Sequence, residues 1–311
     1  MSLTHCLNDR RSPLRLFLDT ELPDVAAPVG DYRSRLPQLP DVLRPHSSGP
    51  IDHQSLGQAI DLRLRIAFGS PVPSTVVTGI GLAAMQLADT HSCAAALALA
   101  ETAKELLAQL SSQPPALPGA LLGEAAAEEH LARLCFVAAW FEAVARAGLR
   151  QGSPLLRADL SHGLDGLLDQ VPSYVPGDLT AQAALADRPG ALRWVLEIPL
   201  PQRVCGPVFA GSHDVGGGDA DFIAAGCLID CKSTIHPERI GRSHLYQLAG
   251  YLLLDYDNAY GIDRVGLYLS RQGRLIDWET GHFLQLLGAR RTLPELRRAC
   301  RTALADSPEA G

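Results

Sequence analysis

Residues 218–232 read GDADFIAAGCLIDCK and contain two short apolar runs that meet at an Ala-Gly pair. Apolar runs of this length around a tight turn predict a β-hairpin. Side chains alternate between the two faces of a strand. Asp230 and Lys232 therefore share one face, as do Asp219 and Asp221. The hairpin is expected to bring carboxylates and one ammonium group together at one edge of a sheet.

Such a cluster indicates metal-assisted chemistry. Neighbouring carboxylates repel one another unless a cation neutralises them. Hard oxygen ligands with open positions suit Mg²⁺, and Mn²⁺ is an alternative. A helix is predicted at about 239–256, and its Gln247 and Tyr251 are four residues apart, so they lie on one helix face. Carboxylates with a metal and a neighbouring lysine are the equipment for metal-assisted phosphodiester hydrolysis. Gln247 and Tyr251 can both hydrogen-bond to a catalytic group, a water or a backbone phosphate.

Taken in order, the patterns G-x-x-D, D-x-K and Q-x-x-x-Y resemble the PD-(D/E)xK nuclease superfamily, and most closely its RecB-type branch. The resemblance covers mainly residues 194–278. It implies an α/β fold with a restriction-endonuclease-like core, in which helices flank a central mixed sheet. It also implies a Mg²⁺-dependent deoxyribonuclease. The cysteines are not placed for the iron–sulfur cluster that some RecB-like enzymes hold.

The resemblance assigns a role to each matched residue. It makes Asp221 and Asp230 the metal-binding carboxylates, Lys232 the lysine of the motif, and Gln247 and Tyr251 the downstream pair. Three further carboxylates and one backbone group remain open as metal ligands: Asp219 as a competitor of Asp221, Glu197 on an upstream strand, Asp61 on the first helix, and the backbone carbonyl of Cys231.

Periodicity and composition divide the chain into segments. We predict an irregular N-terminal segment (1–50) with one short strand at Leu14–Leu18, and the first helix of the nuclease core within 51–75. An α-helical insertion follows at 76–188, with helices at about 78–111, 119–148, 154–170 and 178–187 and a break near Asp89–Ser92. The nuclease core occupies 189–305 and includes a strand within Ala191–Leu200. Residues 306–311 are expected to form a flexible tail.

Composition narrows the function classes. The chain has 311 residues, 47% of them hydrophobic, and a net charge of −7, which excludes a disordered chain and a generally basic nucleic-acid binder. No apolar run approaches the roughly 18 residues of a membrane span, and the first residues lack the apolar core of a signal peptide. We therefore expect a soluble, cytoplasmic protein that does not bind membranes.

Substrate binding requires local positive charge. Four arginines near the motif are predicted to contact nucleic acid: Arg239, Arg242, Arg271 and Arg274. DNA is the expected substrate, and RNA remains open. The alternative is a catalytically inactive module that kept the fold and binds nucleic acid or a protein partner. A role in DNA repair or phage defence follows only by analogy with the fold.

Overall fold

The computed structural model describes residues 3–117 and 120–305 of the chain, so the predicted tail at 306–311 lies outside the described residues. The helices are α1 Leu3–Asn8, α2 Pro13–Glu21, α3 Ala26–Arg35, α4 His53–Ala67, α5 Ser74–Thr90, α6 Cys93–Ser111, α7 Ala125–Ala147, α8 Gly163–Leu168, α9 Tyr174–Ala186, α10 Arg242–Leu254, α11 Thr280–Leu286 and α12 Leu293–Ala305. The strands are β1 Arg203–Cys205, β2 Phe222–Ala224, β3 Cys227–Lys232, β4 Arg264–Leu269 and β5 Arg274–Glu279.

The predicted hairpin is present. Strands β2 and β3 pair antiparallel, with Phe222 opposite Ile229 and Ala224 opposite Cys227. The two turn residues, Ala225 and Gly226, have φ angles of 45° and 77°. Positive φ at both central positions matches the twist of the flanking strands.

The sheet is mixed, as predicted. Its strands lie in the order β1-β2-β3-β4-β5. Neighbours pair antiparallel except β3 and β4, which are parallel. A parallel pair needs a long crossover connection, and this connection contains α10. The fold is therefore mixed α/β, with helices on both faces of a five-stranded sheet.

The two faces of the sheet carry separate apolar cores. Phe222, Ile229 and Tyr268 pack on one face with apolar residues of α4 to α9. Ile223 and Leu267 pack on the other face with residues of α1, α2, α10, α11 and α12. The helices of 76–188 therefore pack against one face of the sheet. No helix in 3–117 or 120–305 combines the length and the apolar character needed to cross a bilayer.

The helical block largely follows the prediction. The expected break is the gap between α5 and α6, where Ser92 caps α6 by accepting a hydrogen bond from the amide of Ala95. Helix α7 occupies the predicted segment 119–148. The segment 154–170 is less regular than expected, since two 3₁₀ turns precede the short α8.

The prediction of an irregular segment at 1–50 is wrong for residues 3–35, whereas residues 39–50 form no regular helix or strand. Residues 3–35 form three helices, and no strand is present at Leu14–Leu18. The alternating leucines suggested a strand, but Leu16 is 54% exposed, whereas Leu14, Leu18 and Leu22 are fully buried at the four-residue spacing of a helix. Ser12 caps this helix, and Pro13 occupies its first turn.

The strand predicted within Ala191–Leu200 is also absent. Residues Arg193–Glu197 form a 3₁₀ helix. Prolines at 199 and 201 remove the amide donors that a strand ladder needs, and the Arg203 side chain binds the free carbonyls of Leu196 and Ile198 instead. The adjoining sheet strand, β1, begins only at Arg203.

Candidate active site

The hairpin places the two motif carboxylates side by side. Since Phe222 pairs with Ile229, Asp221 lies next to Asp230 at the point where β2 begins. Oδ2 of Asp221 accepts a 2.6 Å hydrogen bond from the backbone amide of Cys231. The N–H and C=O groups of one strand residue point the same way across a sheet. The carbonyl of Cys231 is thus on the Asp221 side of β3.

A connected row of polar side chains joins β3 to α10. Nζ of Lys232 lies 2.5 Å from Oδ2 of Asp230 and donates a 3.1 Å hydrogen bond to Oε1 of Gln247. Nε2 of Gln247 in turn donates to the hydroxyl oxygen of Tyr251 at 2.9 Å. Each of these four residues was predicted from the sequence, and the structure brings all of them together.

The first core helix, α4, adds Asp61 to the cluster. Its Oδ2 accepts a 2.6 Å hydrogen bond from Nε of Arg65, and Nη2 of Arg65 lies 3.8 Å from Oδ1 of Asp221. Oδ1 of Asp61 is buried and has no hydrogen-bond partner among the described residues. Asp61 is therefore a carboxylate with an unused oxygen on the open side of the hairpin.

A cleft of about 130 Å³ connects these elements. Asp61, Asp219, Asp221, Gln247 and Tyr251 line it, together with Arg65. Asp219 and Asp221 are the two alternatives for the first metal-binding carboxylate. Asp219 is exposed, whereas Asp221 is half-buried and accepts a hydrogen bond.

Sequence reasoning missed two residues of this cleft, Glu142 and Arg146 of α7. They form an ion pair four residues apart, with Nη2 of Arg146 2.5 Å from Oε1 of Glu142. The one available signal was a charged pair four residues apart, and α7 carries a second such pair, Glu129 and Arg133. That pattern is common on solvated helix faces, so it did not indicate a site in a helical block without other motifs.

Electrostatics of the site favour an added cation. Burial raises the pKa of Asp61 to about 8; Arg65 opposes this, and the charge of Asp221 adds to it. Burial likewise raises the pKa of Asp230 to about 6, against the opposing effect of Lys232, and Asp221 again adds to it. Burial lowers the pKa of Lys232, but Asp230 and Asp221 outweigh it, and the net shift is upward. Burial is thus the main cause of the raised pKa values of Asp61 and Asp230, and the charge of Asp221 adds to each.

Some predicted residues lie elsewhere. Glu197 is exposed on the 3₁₀ helix rather than on a strand, and it is not among the cleft residues. Arg271 is 1% exposed, and its guanidinium pairs with Asp178 at 2.8 Å. Arg271 therefore cannot contact a nucleic acid, because its side chain is buried and its charge is paired with Asp178.

The other three arginines are accessible to different degrees. Arg239 and Arg242 are exposed near the start of α10, and Arg242 also pairs with Asp19 at 3.3 Å. Arg274 is partly buried and donates to the carbonyls of Pro189 and Gly273. The start of α10 is therefore the part of the predicted basic surface that remains open.

Within residues 3–117 and 120–305, no group of three or more His, Cys, Asp and Glu side chains is gathered as a ready metal site. Comparison of the chain with protein-family models, with curated proteins and with solved structures finds no match. The case for a function therefore depends on the geometry of the site itself.

Proposed function

We propose that this protein is a metal-dependent nuclease that cleaves phosphodiester bonds in DNA, with a core of the restriction-endonuclease type. One observation carries the proposal. Lys232 lies between the buried Asp230 and Gln247, at 2.5 and 3.1 Å, beside a second carboxylate, Asp221. Burying an ammonium group is costly unless it is paired and hydrogen-bonded, and Asp230 and Gln247 meet that need. The position of this lysine beside Asp221, at a cleft that Asp221 and Gln247 line, is what supports a catalytic role.

The residues present fit Mg²⁺ or Mn²⁺. Mg²⁺ in enzymes is commonly held by one or two carboxylates and keeps several waters, so a cluster of three side chains is not required. Asp221 and Asp230 are the proposed ligands, with the carbonyl of Cys231 beside them. Asp61 offers a buried oxygen without a partner. Such a cation supplies Lewis-acid stabilisation of a phosphate oxygen.

The protein's own groups then have distinct tasks. Asp230 and Gln247 hold the ammonium of Lys232 at a fixed point, where it orients a water molecule or stabilises negative charge on the phosphate. Tyr251 accepts the amide N–H of Gln247 and fixes which end of that amide faces the lysine. Lys suits this position because it is a compact charge, whereas the arginine fork is planar and larger.

Three exposed arginines are the proposed DNA contacts. Arg146 lines the cleft and its side chain is 59% exposed, and Arg239 and Arg242 are exposed near the start of α10. These contacts recognise the sugar-phosphate backbone, which RNA shares. RNA is therefore included among the substrates of the test.

The test is a digestion panel of linear, circular, single-stranded and branched DNA, and of RNA, each with Mg²⁺, Mn²⁺ or EDTA. The wild-type protein is expected to cut at least one DNA substrate only when the metal is present. Lys232→Ala and Asp230→Asn are each expected to reduce cleavage by at least about a hundredfold, since general acid–base and charge-stabilising groups contribute on that scale.

Lys104→Ala is the matched control. Lys104 is the only other lysine of the chain, and its exposed side chain pairs with Glu101 on α6. This variant is expected to cut as the wild type does. Lys232 and Asp230 variants that fold and cut at the wild-type rate would contradict the proposal.

A further inference from the structure

A second and larger cavity adjoins the cleft. It encloses about 740 Å³ between the start of α5 and the loop at 205–219. The two spaces share Arg65, Pro73 and Thr75 on one side and Asp219 on the other. Arg65 therefore lines both the larger cavity and the cleft of the carboxylate site.

Arg65 is buried, but most of its donors are unused. The residue is 6% exposed. Its Nε donates to Asp61, and among the described residues Nη1 and Nη2 have no hydrogen-bond partner, since the Asp221 carboxylate is 3.8 Å away. A guanidinium carries five N–H donors. The Nη groups of Arg65 are not among the buried polar atoms that lack a hydrogen-bond partner, so they are accessible from the cavity. Arg65 pairs with Asp61 and Asp221 and still has Nη donors open to a further acceptor.

Gly206 keeps the space beside this guanidinium open. A Cβ atom at this position would lie 2.5 Å from Nη1 of Arg65, and the φ angle of Gly206 is +62°. Gly206 and Arg65 both line the larger cavity. The absence of a side chain at 206 therefore leaves the Nη1 end of Arg65 beside this cavity.

The N-terminus of α5 faces the same cavity through Ser74 and Thr75. This helix has 17 residues, and in the described part of the chain no side chain caps its first turn, which Pro73 precedes. Free amides and the helix dipole make such an end favourable for anions. Helix α6 in the same block differs, because Ser92 caps its amides.

We propose that Arg65 and the N-terminus of α5 form a binding site for a phosphate group next to the carboxylate cluster. Two independent sets of donors converge on one cavity, and phosphate matches both the fork of arginine and a helix N-terminus. His213 and Asp219 also line the cavity, and Asp219 faces the side of the carboxylate cluster. The inference rests on the proposed nuclease function in taking the phosphate to be that of a polynucleotide backbone.

The test measures binding in EDTA, so that no cleavage takes place. Two probes are compared: a fluorescein-labelled single-stranded 12-mer of DNA, by anisotropy, and inorganic phosphate, by ³¹P line broadening. Arg65→Gln and Ser74→Asp are each expected to weaken binding of the 12-mer by about tenfold or more, the effect of one lost charge-assisted contact. An acid at a helix start favours the helix, so Ser74→Asp removes the site without loosening the fold.

Ser92→Asp is the matched control, because it makes the same change at the start of α6 and is expected to leave binding unchanged. If the two variants lose binding of inorganic phosphate but not of the 12-mer, the result also supports a phosphate site and identifies free phosphate, not DNA, as its ligand. Wild-type binding of both probes by folded Arg65→Gln and Ser74→Asp proteins overturns the site. Cleavage assays are scored separately, so a failed nuclease proposal and a failed phosphate site give different results.

Discussion

At the scale of single residues, the motif side chains were predictable because their spacing maps directly onto local geometry. Asp230 and Lys232 are two residues apart on a strand, so they share one face. Gln247 and Tyr251 are one helical turn apart. The structure joins these pairs through the hydrogen bond from Lys232 to Gln247. That contact crosses 15 residues of chain and a parallel crossover, so no local rule predicts it; only the resemblance did.

Gln247 is a positioning residue, because it acts through Lys232. Gln247→Leu keeps the volume of the side chain but removes both hydrogen bonds, and it is expected to lower cleavage about 10–100-fold. Tyr251→Phe leaves the bond to Lys232 in place, so a smaller loss is expected. The measurement is kcat and its pH profile. If Gln247→Leu only weakened the fold, thermal stability would fall while the pH profile of kcat kept its shape.

Asp61 makes the metal-free protein sensitive to pH. Its pKa is about 8 in the folded state, above the ordinary value of 3.8, so the folded state binds a proton more tightly than the unfolded state does. The free energy of unfolding in EDTA is therefore expected to fall as the pH rises from 4 to 8. Asp61→Asn is expected to flatten this slope in urea titrations. An unchanged slope in that variant would contradict the role of Asp61.

At the scale of elements, the sequence predicted correctly those features that depend on a few neighbouring residues. The hairpin turn and the break between α5 and α6 are examples. The strand prediction at Leu14–Leu18 is wrong because three alternating leucines also satisfy a period of two. The Ser12 cap, Pro13 in the first turn and the burial of Leu14 and Leu18 but not Leu16 are the features of a helix. The sequence did not identify Glu142 and Arg146 as cleft residues for another reason. Nothing in the sequence of α7 indicates which element this charged pair faces.

Helix α9 is tied to the sheet by a buried ion pair. Asp178 binds Arg271 in the turn between β4 and β5, and both side chains are 1% exposed. Gln182, one turn later, accepts hydrogen bonds from Ser233 and Ser270 at the ends of β3 and β4. This network fixes the backbone directly after Lys232. It holds α9 and β3 in one register.

Asp178→Ala leaves the charge of Arg271 buried without its partner. We expect the free energy of unfolding to fall by about 3–5 kcal/mol, the usual cost of breaking a buried pair from one side. Urea titration measures it. Glu101→Ala, which breaks the exposed pair with Lys104, serves as the comparison and is expected to change little. Equal effects of the two substitutions would show that the α9 network is dispensable.

At the scale of the whole molecule, the site lies where the two helical layers meet the edge of the sheet. Helices α4 and α7 supply Asp61, Arg65, Glu142 and Arg146 from one layer, and α10 supplies Gln247 and Tyr251 from the other. The sequence predicts an α-helical insertion at 76–188. Apolar residues of these helices pack on one face of the sheet, and α7 brings Glu142 and Arg146 to the cleft.

This architecture predicts that the molecule unfolds as one unit. Leu134 of α7 and Leu252 of α10 are fully buried in the two cores on opposite faces of the sheet. Each Leu→Ala change is expected to lower the free energy of unfolding by about 2–5 kcal/mol through lost burial and a residual cavity. Calorimetry is expected to show a single transition that both substitutions move to lower temperature. Two transitions, with Leu134→Ala moving only one, would instead show that residues 76–188 fold as a separate domain.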